Sequence, residues 1–276
     1  MKLVRFLWGD DFSPRSGFLH DGKIYETVGL NPVGIHELDD IHLLAPISSP
    51  PAFRDFMGFE AHIVNTRKRY GKEGAPKEWY EAPAFFFQNP ASIYGPYEDV
   101  PKPSYTDELD YELEVAVVID KGGGDIPVEH ADDCILGFTI YNDWSARDIQ
   151  RREAKVGLGF AKGKDFANSI GPYLVTPDDL ESKTKKTPRG NIYNLEMKAY
   201  VNGELVSQGN LADMHWTFAE MISYASQGTH ISQGDLFGSG TVGTGCLLEL
   251  GKEYLKPGDE VVLEVELLGK LINRIK

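Results

Sequence analysis

Asp110-Tyr111-Glu112-Leu113-Glu114-Val115-Ala116-Val117-Val118-Ile119 is the stretch on which the reading of this chain turns. Its alternation predicts a β-strand with Tyr111, Leu113, Val115, Val117 and Ile119 on one face and Asp110, Glu112 and Glu114 on the other. The apolar face belongs to a core. Carboxylates one strand repeat apart repel each other, so solvent or a bound cation must hold them ionised. Taken alone, the strand reads as half exposed with a solvated acidic edge. A cation site needs ligands from elsewhere in the chain.

A second stretch supplies them. Cys134-Ile135-Leu136-Gly137-Phe138-Thr139-Ile140-Tyr141 predicts another strand, followed by Asn142-Asp143 and then by helix-favouring residues from Ser145 to Glu153. Asn142, Asp143 or Ser145 could cap that helix, which is a sufficient structural reason for an Asp at the junction. On the helix, Arg147 and Gln150 lie three apart and share a face near Asp143. Asp148 with Arg151 or Arg152 has the spacing of an ordinary surface ion pair.

At this point the chain resembles the fumarylacetoacetate hydrolase family. The resemblance rests on Asp-Tyr-Glu-Leu-Glu at 110–114, Asn-Asp-Trp-Ser-Ala-Arg-Asp-Ile-Gln at 142–150, Phe-Ala-Lys-Gly-Lys-Asp-Phe at 160–166 and Gly-Ser-Gly-Thr at 238–241. These pieces occur in the family's order and cover the chain from about Pro50 onward. The resemblance implies a mainly β fold with some α: a mixed β-sandwich or roll forming the catalytic domain, residues 51–276, behind a small β-rich amino-terminal domain, residues 1–50. It makes Glu112, Glu114 and Asp143 metal ligands and Lys164 an active-site lysine. It puts Arg147 and Gln150 in the substrate pocket and Thr241 in a loop touching the substrate's carboxylate end. Read alone, Lys164 in Lys162-Gly163-Lys164-Asp165 is a solvated loop cation.

Hard carboxylate ligands without nearby Cys or His favour Mg²⁺ or Mn²⁺, with Ca²⁺ also admissible, over zinc or copper. The expected base is His62, on a helix from about Phe53 to Tyr70. In the family's smaller members such a His pairs with a Glu three residues later, but here position 65 is Asn. Glu60 lies two residues before His62, and residues two apart on a helix do not face each other. Glu249 matches instead the Glu that partners the His in the fumarylacetoacetate-cleaving members. The resemblance implies hydrolysis of a carbon–carbon bond in an acylpyruvate- or fumarylacetoacetate-like oxo acid. The same parts would serve oxaloacetate decarboxylation, isomerisation of an unsaturated diacid or dehydration of a 2-keto-3-deoxy-sugar acid. Asn65 also leaves room for a non-catalytic member that only binds metal and an oxo acid. Family members of this kind form homodimers.

The resemblance implies a small acidic oxo-acid substrate as partner, for which an acidic chain can still keep a local cationic pocket. With 42 acidic and 28 basic residues the chain carries a formal charge of −14, which opposes general binding to nucleic acid or to an anionic membrane. Cys134 in an apolar strand and Cys246 near Thr241 form no disulfide framework or zinc motif, which fits a reduced cytoplasm. Met1 to Trp8 is too short and too soon polar for a signal peptide, and no stretch is long enough to span a bilayer.

Elsewhere, residues 1 to about 45 predict short strands around an Asp21-Gly22 turn, and Pro46 to Pro51 a linker. Arg67-Lys68-Arg69 suits a helix carboxyl end. Gly71 to Pro83 predicts a loop, Phe85 to Phe87 a buried strand, and Leu180 to Asn191 a solvated loop. Asn202-Gly203 marks a hairpin between Met197–Val201 and Glu204–Val206. A helix around Thr217 to Ser223 precedes the glycine-rich loop 234–245, and Pro257-Gly258-Asp259 turns into a final strand ending at Leu268.

Overall fold

The acidic strand is buried on both faces, which explains how the rest of the chain is arranged. In this computed structural model, which describes residues 1–29, 31–157 and 159–276, it spans Leu113–Ile119 and lies inside a twelve-stranded sheet. Along the main path the strands run Asn31–Glu37, Lys23–Val28, Asp11–His20, Lys2–Trp8, Asn168–Val175, Ile135–Asp143, Leu113–Ile119, Leu236–Gly238, Phe53–Phe56 and Phe85–Phe87. A second sheet of five strands runs Glu204–Asn210, Glu196–Val201, Glu260–Val265, Gly269–Ile275 and Asp99–Val100. The five strands between Lys2 and Leu44 join the large sheet where Lys2–Trp8 pairs antiparallel with Asn168–Val175. The chain is thus mostly β with mixed sheets.

Period-two geometry divides the strand between two cores. Leu113, Val115, Val117 and Ile119 pack with Met197, Ala199, Leu263 and Val265 of the five-stranded sheet, while Ala116 and Val118 pack with Phe53, Tyr141, Ile170 and Leu236. Each large apolar side chain fully withdrawn from water contributes about 1.5–3 kcal/mol. The expected solvated acidic edge is therefore absent: Asp110, Glu112 and Glu114 are all buried.

Five helices complete the described residues: α1 Glu60–Arg69, α2 Val128–Ala131, α3 Arg147–Val156, α4 Phe218–Ser226 and α5 Leu247–Leu250. None is long and apolar enough to cross a membrane. The helix expected from Phe53 is instead a strand, Phe53–Phe56, and then α1. Parallel pairing with Leu236–Gly238 on one side and antiparallel pairing with Phe85–Phe87 on the other outweighs local propensity there. Gly58 separates the two elements because a Cβ at that position would stand 2.4 Å from the Ser239 carbonyl oxygen.

Other expectations also change. Phe85–Phe87 is a strand, but at a sheet edge, and Phe87 is 64% exposed. Residues 180–191 are ordered rather than loop-like: a 3₁₀ turn, Pro177–Lys183, buries Leu180 and leads into the hairpin Thr184–Thr187 and Gly190–Tyr193. The final strand is Gly269–Ile275, reached by a further turn after Glu260–Val265. Cys134 closes a 3₁₀ turn before its strand, and both cysteines are buried and unpaired. The Asn202-Gly203 hairpin forms as expected, with Asn202 at φ 51°.

Helix α4 begins with a capping box. Thr217 Oγ1 accepts from Glu220 N at 3.2 Å, Glu220 Oε2 accepts from Thr217 N at 2.9 Å, and Thr217 Oγ1 donates to Arg189 O. Thr217→Ala removes a cap and a bond to the preceding hairpin, and should destabilise the fold by about 1–2 kcal/mol. Urea unfolding should show a lower midpoint at unchanged slope. An unchanged midpoint would show that the box contributes nothing.

Candidate metal-binding active site

Three strands converge on a single buried cluster of acids. Asp55 comes from Phe53–Phe56, Glu114 from Leu113–Ile119, Asp143 from the end of Ile135–Asp143, and Glu112 from the residue just before Leu113–Ile119. One carboxylate oxygen from each of Asp55, Glu114 and Asp143 lies within 4.8 Å of the other two. Asp55 was not foreseen. Its stretch reads as helix in the sequence, and its side chain enters the cluster only because the stretch is a strand beside Gly238.

Glu112 is tied to this group through Lys164. The Lys164 ammonium lies 2.5 Å from Glu112 Oε2 and also bonds Asp143 Oδ2, so the two carboxylates already share one cation. Lys164 is therefore not a solvated loop cation; it is 3% exposed. Arg147 closes the other side: Nε donates to Asp110 Oδ2 at 2.8 Å, Nη1 donates to Gln150 Oε1 at 3.1 Å, and Nη2 pairs with Glu112 Oε1 at 2.8 Å. Asp110 also accepts from the backbone N–H groups of Leu247 and Leu248 at 2.8 and 3.1 Å, which anchors the start of α5. Gln88 Nε2 donates to Asp143 Oδ1 at 2.6 Å and to the Tyr141 hydroxyl at 3.0 Å. Gly240 N and Thr241 Oγ1 donate to the two oxygens of Glu114 at 2.9 and 3.2 Å, so Thr241 faces a carboxylate and lines the cavity.

Five buried carboxyls thus face two buried cations, and the excess negative charge shows in their proton affinities. Burial, then the nearness of Glu114 and Asp143, pushes Asp55 well above the usual carboxylate range. Burial with Glu112 and Asp143 does the same to Glu114. Asp143 is pushed up to about 6 by burial, with Lys164 opposing and Glu112 adding. Glu112 differs: burial works upward but is outweighed by Lys164, Arg147 and His62, and its carboxyl is held below the ordinary glutamate range. Asp55 Oδ1 is buried without a hydrogen-bond partner, which is the expected state of a ligand atom. Clustered hard oxygens, an orphaned oxygen and no sulfur or imidazole in the set fit a divalent cation of the Mg²⁺ or Mn²⁺ kind.

His62 faces the same cavity from α1. Its Nδ1 is 2.6 Å from Glu249 Oε1, and its Nε2 is 3.9 Å from Glu112 Oε1. Glu249 Oε2 accepts from Asn65 Nδ2 and from Thr244 N, both at 2.8 Å, and Arg69 donates to the Glu249 carbonyl. A carboxylate held this way fixes the proton on Nδ1 and leaves Nε2 as the basic nitrogen. Asn65 thus supports the pairing from one turn along the helix. Glu60 takes no part in it; its carboxylate accepts from the Tyr80 hydroxyl at the amino-terminal end of α1.

Two local expectations are corrected. None of Asn142, Asp143 and Ser145 caps α3, whose cap residue is Ala146 with no side-chain bond. Asn142 Oδ1 instead accepts from Glu112 N at 3.0 Å, fixing the acidic segment against its neighbour. Asp148 pairs with neither arginine; it accepts from Thr106 Oγ1 at 2.5 Å and from Ile149 N at 2.9 Å, while Arg151 pairs with Glu108. The cavity itself measures about 200 Å³ and runs from this polar cluster along a wall that includes Phe56, Phe59, Phe86 and Phe160.

Comparison with known proteins agrees with this geometry. The family model described as fumarylacetoacetate (FAA) hydrolase C-terminal matches residues 52–276. The mitochondrial oxaloacetate tautomerase FAHD2A of Homo sapiens is 36% identical over 202 residues, 72% of this chain and 60% of its own length. The oxaloacetate tautomerase YisK of Bacillus subtilis (strain 168) is 31% identical over 246 residues, 87% of this chain and 75% of its own. The chain therefore spans about three fifths of the length of the human relative. Among solved structures, the 5-carboxymethyl-2-hydroxymuconate delta-isomerase from Mycobacterium smegmatis superposes with a TM-score of 0.77 at 26% identity, covering 100% of this chain and 99% of that one. The chain belongs to the fumarylacetoacetate hydrolase family.

Proposed function

We propose that this chain is a divalent-cation-dependent enzyme that moves a proton between carbon and oxygen in a small oxo diacid, as a tautomerase or isomerase. The relatives are named for tautomerisation of oxaloacetate and delta-isomerisation of 5-carboxymethyl-2-hydroxymuconate, which supports this reading over the carbon–carbon hydrolysis expected from sequence. The observation that carries it is the His62–Glu249 pair, whose free Nε2 looks onto the acid cluster from 3.9 Å.

Asp55, Glu114 and Asp143 would hold the cation, with Glu112 bridged to them by Lys164 or joining them directly. A divalent ion bound there supplies two-point binding of a 2-oxo acid and stabilises negative charge on its carbonyl oxygen. The chain's own groups do the rest. His62 Nε2 takes a proton from the carbon beside the carbonyl; the carbon–hydrogen electron pair becomes the carbon–carbon double bond of the enolate, and the carbonyl π pair moves onto its oxygen. Returning the same proton to that oxygen gives the enol; returning it to a more distant carbon of a conjugated diacid gives an isomer. Glu249 steadies the imidazolium between the two transfers. Lys164 brings positive charge to the polar end, Gln150 and Thr241 border the substrate, and the phenylalanine wall excludes water.

Gly238 makes the metal site sterically feasible. A Cβ there would meet Asp55 Oδ1 at 2.4 Å and Tyr141 at 2.9 Å, so Gly238→Ala must displace the Asp55 carboxylate. Calorimetric titration with Mn²⁺ should show affinity falling about 10-fold or more. Unchanged affinity would remove Asp55 from the ligand set.

The activity itself is tested by following ketonisation of enol-oxaloacetate in the ultraviolet beside cleavage of an acylpyruvate. Ketonisation should be accelerated with Mg²⁺ or Mn²⁺ and lost with chelator. His62→Ala should lower kcat by roughly 10²–10⁴-fold while Mn²⁺ binding persists. Efficient acylpyruvate cleavage without accelerated ketonisation would return the hydrolase reading to first place.

A further inference from the structure

The cavity is a groove between two helix faces. His62, Thr66 and Tyr70 follow one another along α1, and Arg147, Gln150, Arg151 and Ala154 along α3; all line it. Successive turns rise by about 5.4 Å, so Arg151 stands about one turn, and Tyr70 about two, outward from the catalytic end. The groove thus has a polar inner end at the acid cluster and a second polar end at Arg151 and Tyr70, with the aromatic wall between.

The three cations of the groove are not equivalent. Arg147 is buried, with Nε and Nη1 bonded to Asp110 and Gln150 and Nη2 ion-paired with Glu112 but without a hydrogen bond, and Lys164 is spent on Glu112 and Asp143. Arg151 is different, with 39% of its side chain exposed. Glu108 meets it end-on, each carboxylate oxygen 2.5 Å from one terminal nitrogen. A guanidinium carries five N–H groups, and an end-on carboxylate takes two. Three remain beyond that pair, Arg151 and Tyr70 both line the cavity, and Glu108 and then Tyr70 favour the charged form.

We propose that Arg151 is the specificity-determining residue of this site, binding the far carboxylate of a dicarboxylic oxo acid and so selecting diacids over monoacids. The proposal rests on the oxo-acid reading above but not on which reaction follows. Glu108 holds the guanidinium in place and competes with the substrate for it, which gives the two residues opposite effects. A role confined to tying α3 to the segment before Asp110 would give them the same effect.

The test is calorimetry on the full chain loaded with Mn²⁺, using pairs of equal length: oxaloacetate against 2-oxobutyrate and 2-oxoglutarate against 2-oxovalerate. The unaltered protein should bind at least one diacid about 10-fold or more tighter than its partner, the scale of a charge-assisted bidentate contact. Arg151→Gln should abolish that preference and leave monoacid binding within about 2-fold, Arg151→Lys should restore part of it, and Glu108→Gln should widen it. The idea is overturned if the unaltered protein shows no preference, if Arg151→Gln keeps it, or if both variants weaken both ligands alike. A protein that prefers diacids but fails to ketonise oxaloacetate would sink the tautomerase reading alone.

Discussion

Too much negative charge is buried in one place for the chain's own cations to neutralise. Asp55, Asp110, Glu112, Glu114 and Asp143 are all withdrawn from water, and among the described residues only Arg147 and Lys164 answer them from within the same cluster. Leaving an ionised carboxylate uncompensated in such surroundings costs several kcal/mol. The cluster must therefore take up protons or a further cation. The upward displacement of Asp55, Glu114 and Asp143 is the proton answer, and a divalent ion is the cation answer. A folding domain has no reason to assemble this arrangement for stability, so it has the character of a functional site.

The architecture is what makes such a cluster affordable. A strand buried on both faces can point Glu114 into a dry interior while its other residues fill two cores. The adjoining strand Ile135–Asp143 then delivers Asp143, and Phe53–Phe56, one strand beyond Leu236–Gly238, delivers Asp55, with glycine at 238 leaving room for the latter. The base arrives separately, on α1, and its partner Glu249 on α5, with Asn65, Thr244 and Arg69 holding that partner still. The acid cluster and the His62–Glu249 pair are thus built by different parts of the chain that meet only in the folded state.

Much of this was legible in the sequence, and the failures have physical causes. The alternation from Asp110 to Ile119 identified the strand, and the ordered motifs pointed to Glu112, Glu114, Lys164, Arg147 and Gln150, which line one cavity, and to Asp143, which lies behind them against Lys164 and Glu114. Burial of the acidic face was not legible, because alternation reports two unlike faces and not what covers each of them. Asp55 was hidden because a four-residue strand has no periodicity to distinguish it from a helix, and its identity is set by pairing with Leu236–Gly238, far along the chain. The same distance concealed the choice between Glu60 and Glu249 as partner of His62. Helical spacing argued against Glu60, but only the fold brings Glu249 within hydrogen-bond reach.

The central claim is that these carboxylates exist to grip one divalent ion. A crystal grown with Mn²⁺ and measured for anomalous scattering tests it most directly. The account expects a single strong peak enclosed by Asp55, Glu114 and Asp143, with the Lys164 ammonium no longer bridging Glu112 to Asp143 unchanged. Carboxylates that stay protonated and bridged by Lys164, with manganese found elsewhere or nowhere, would contradict it.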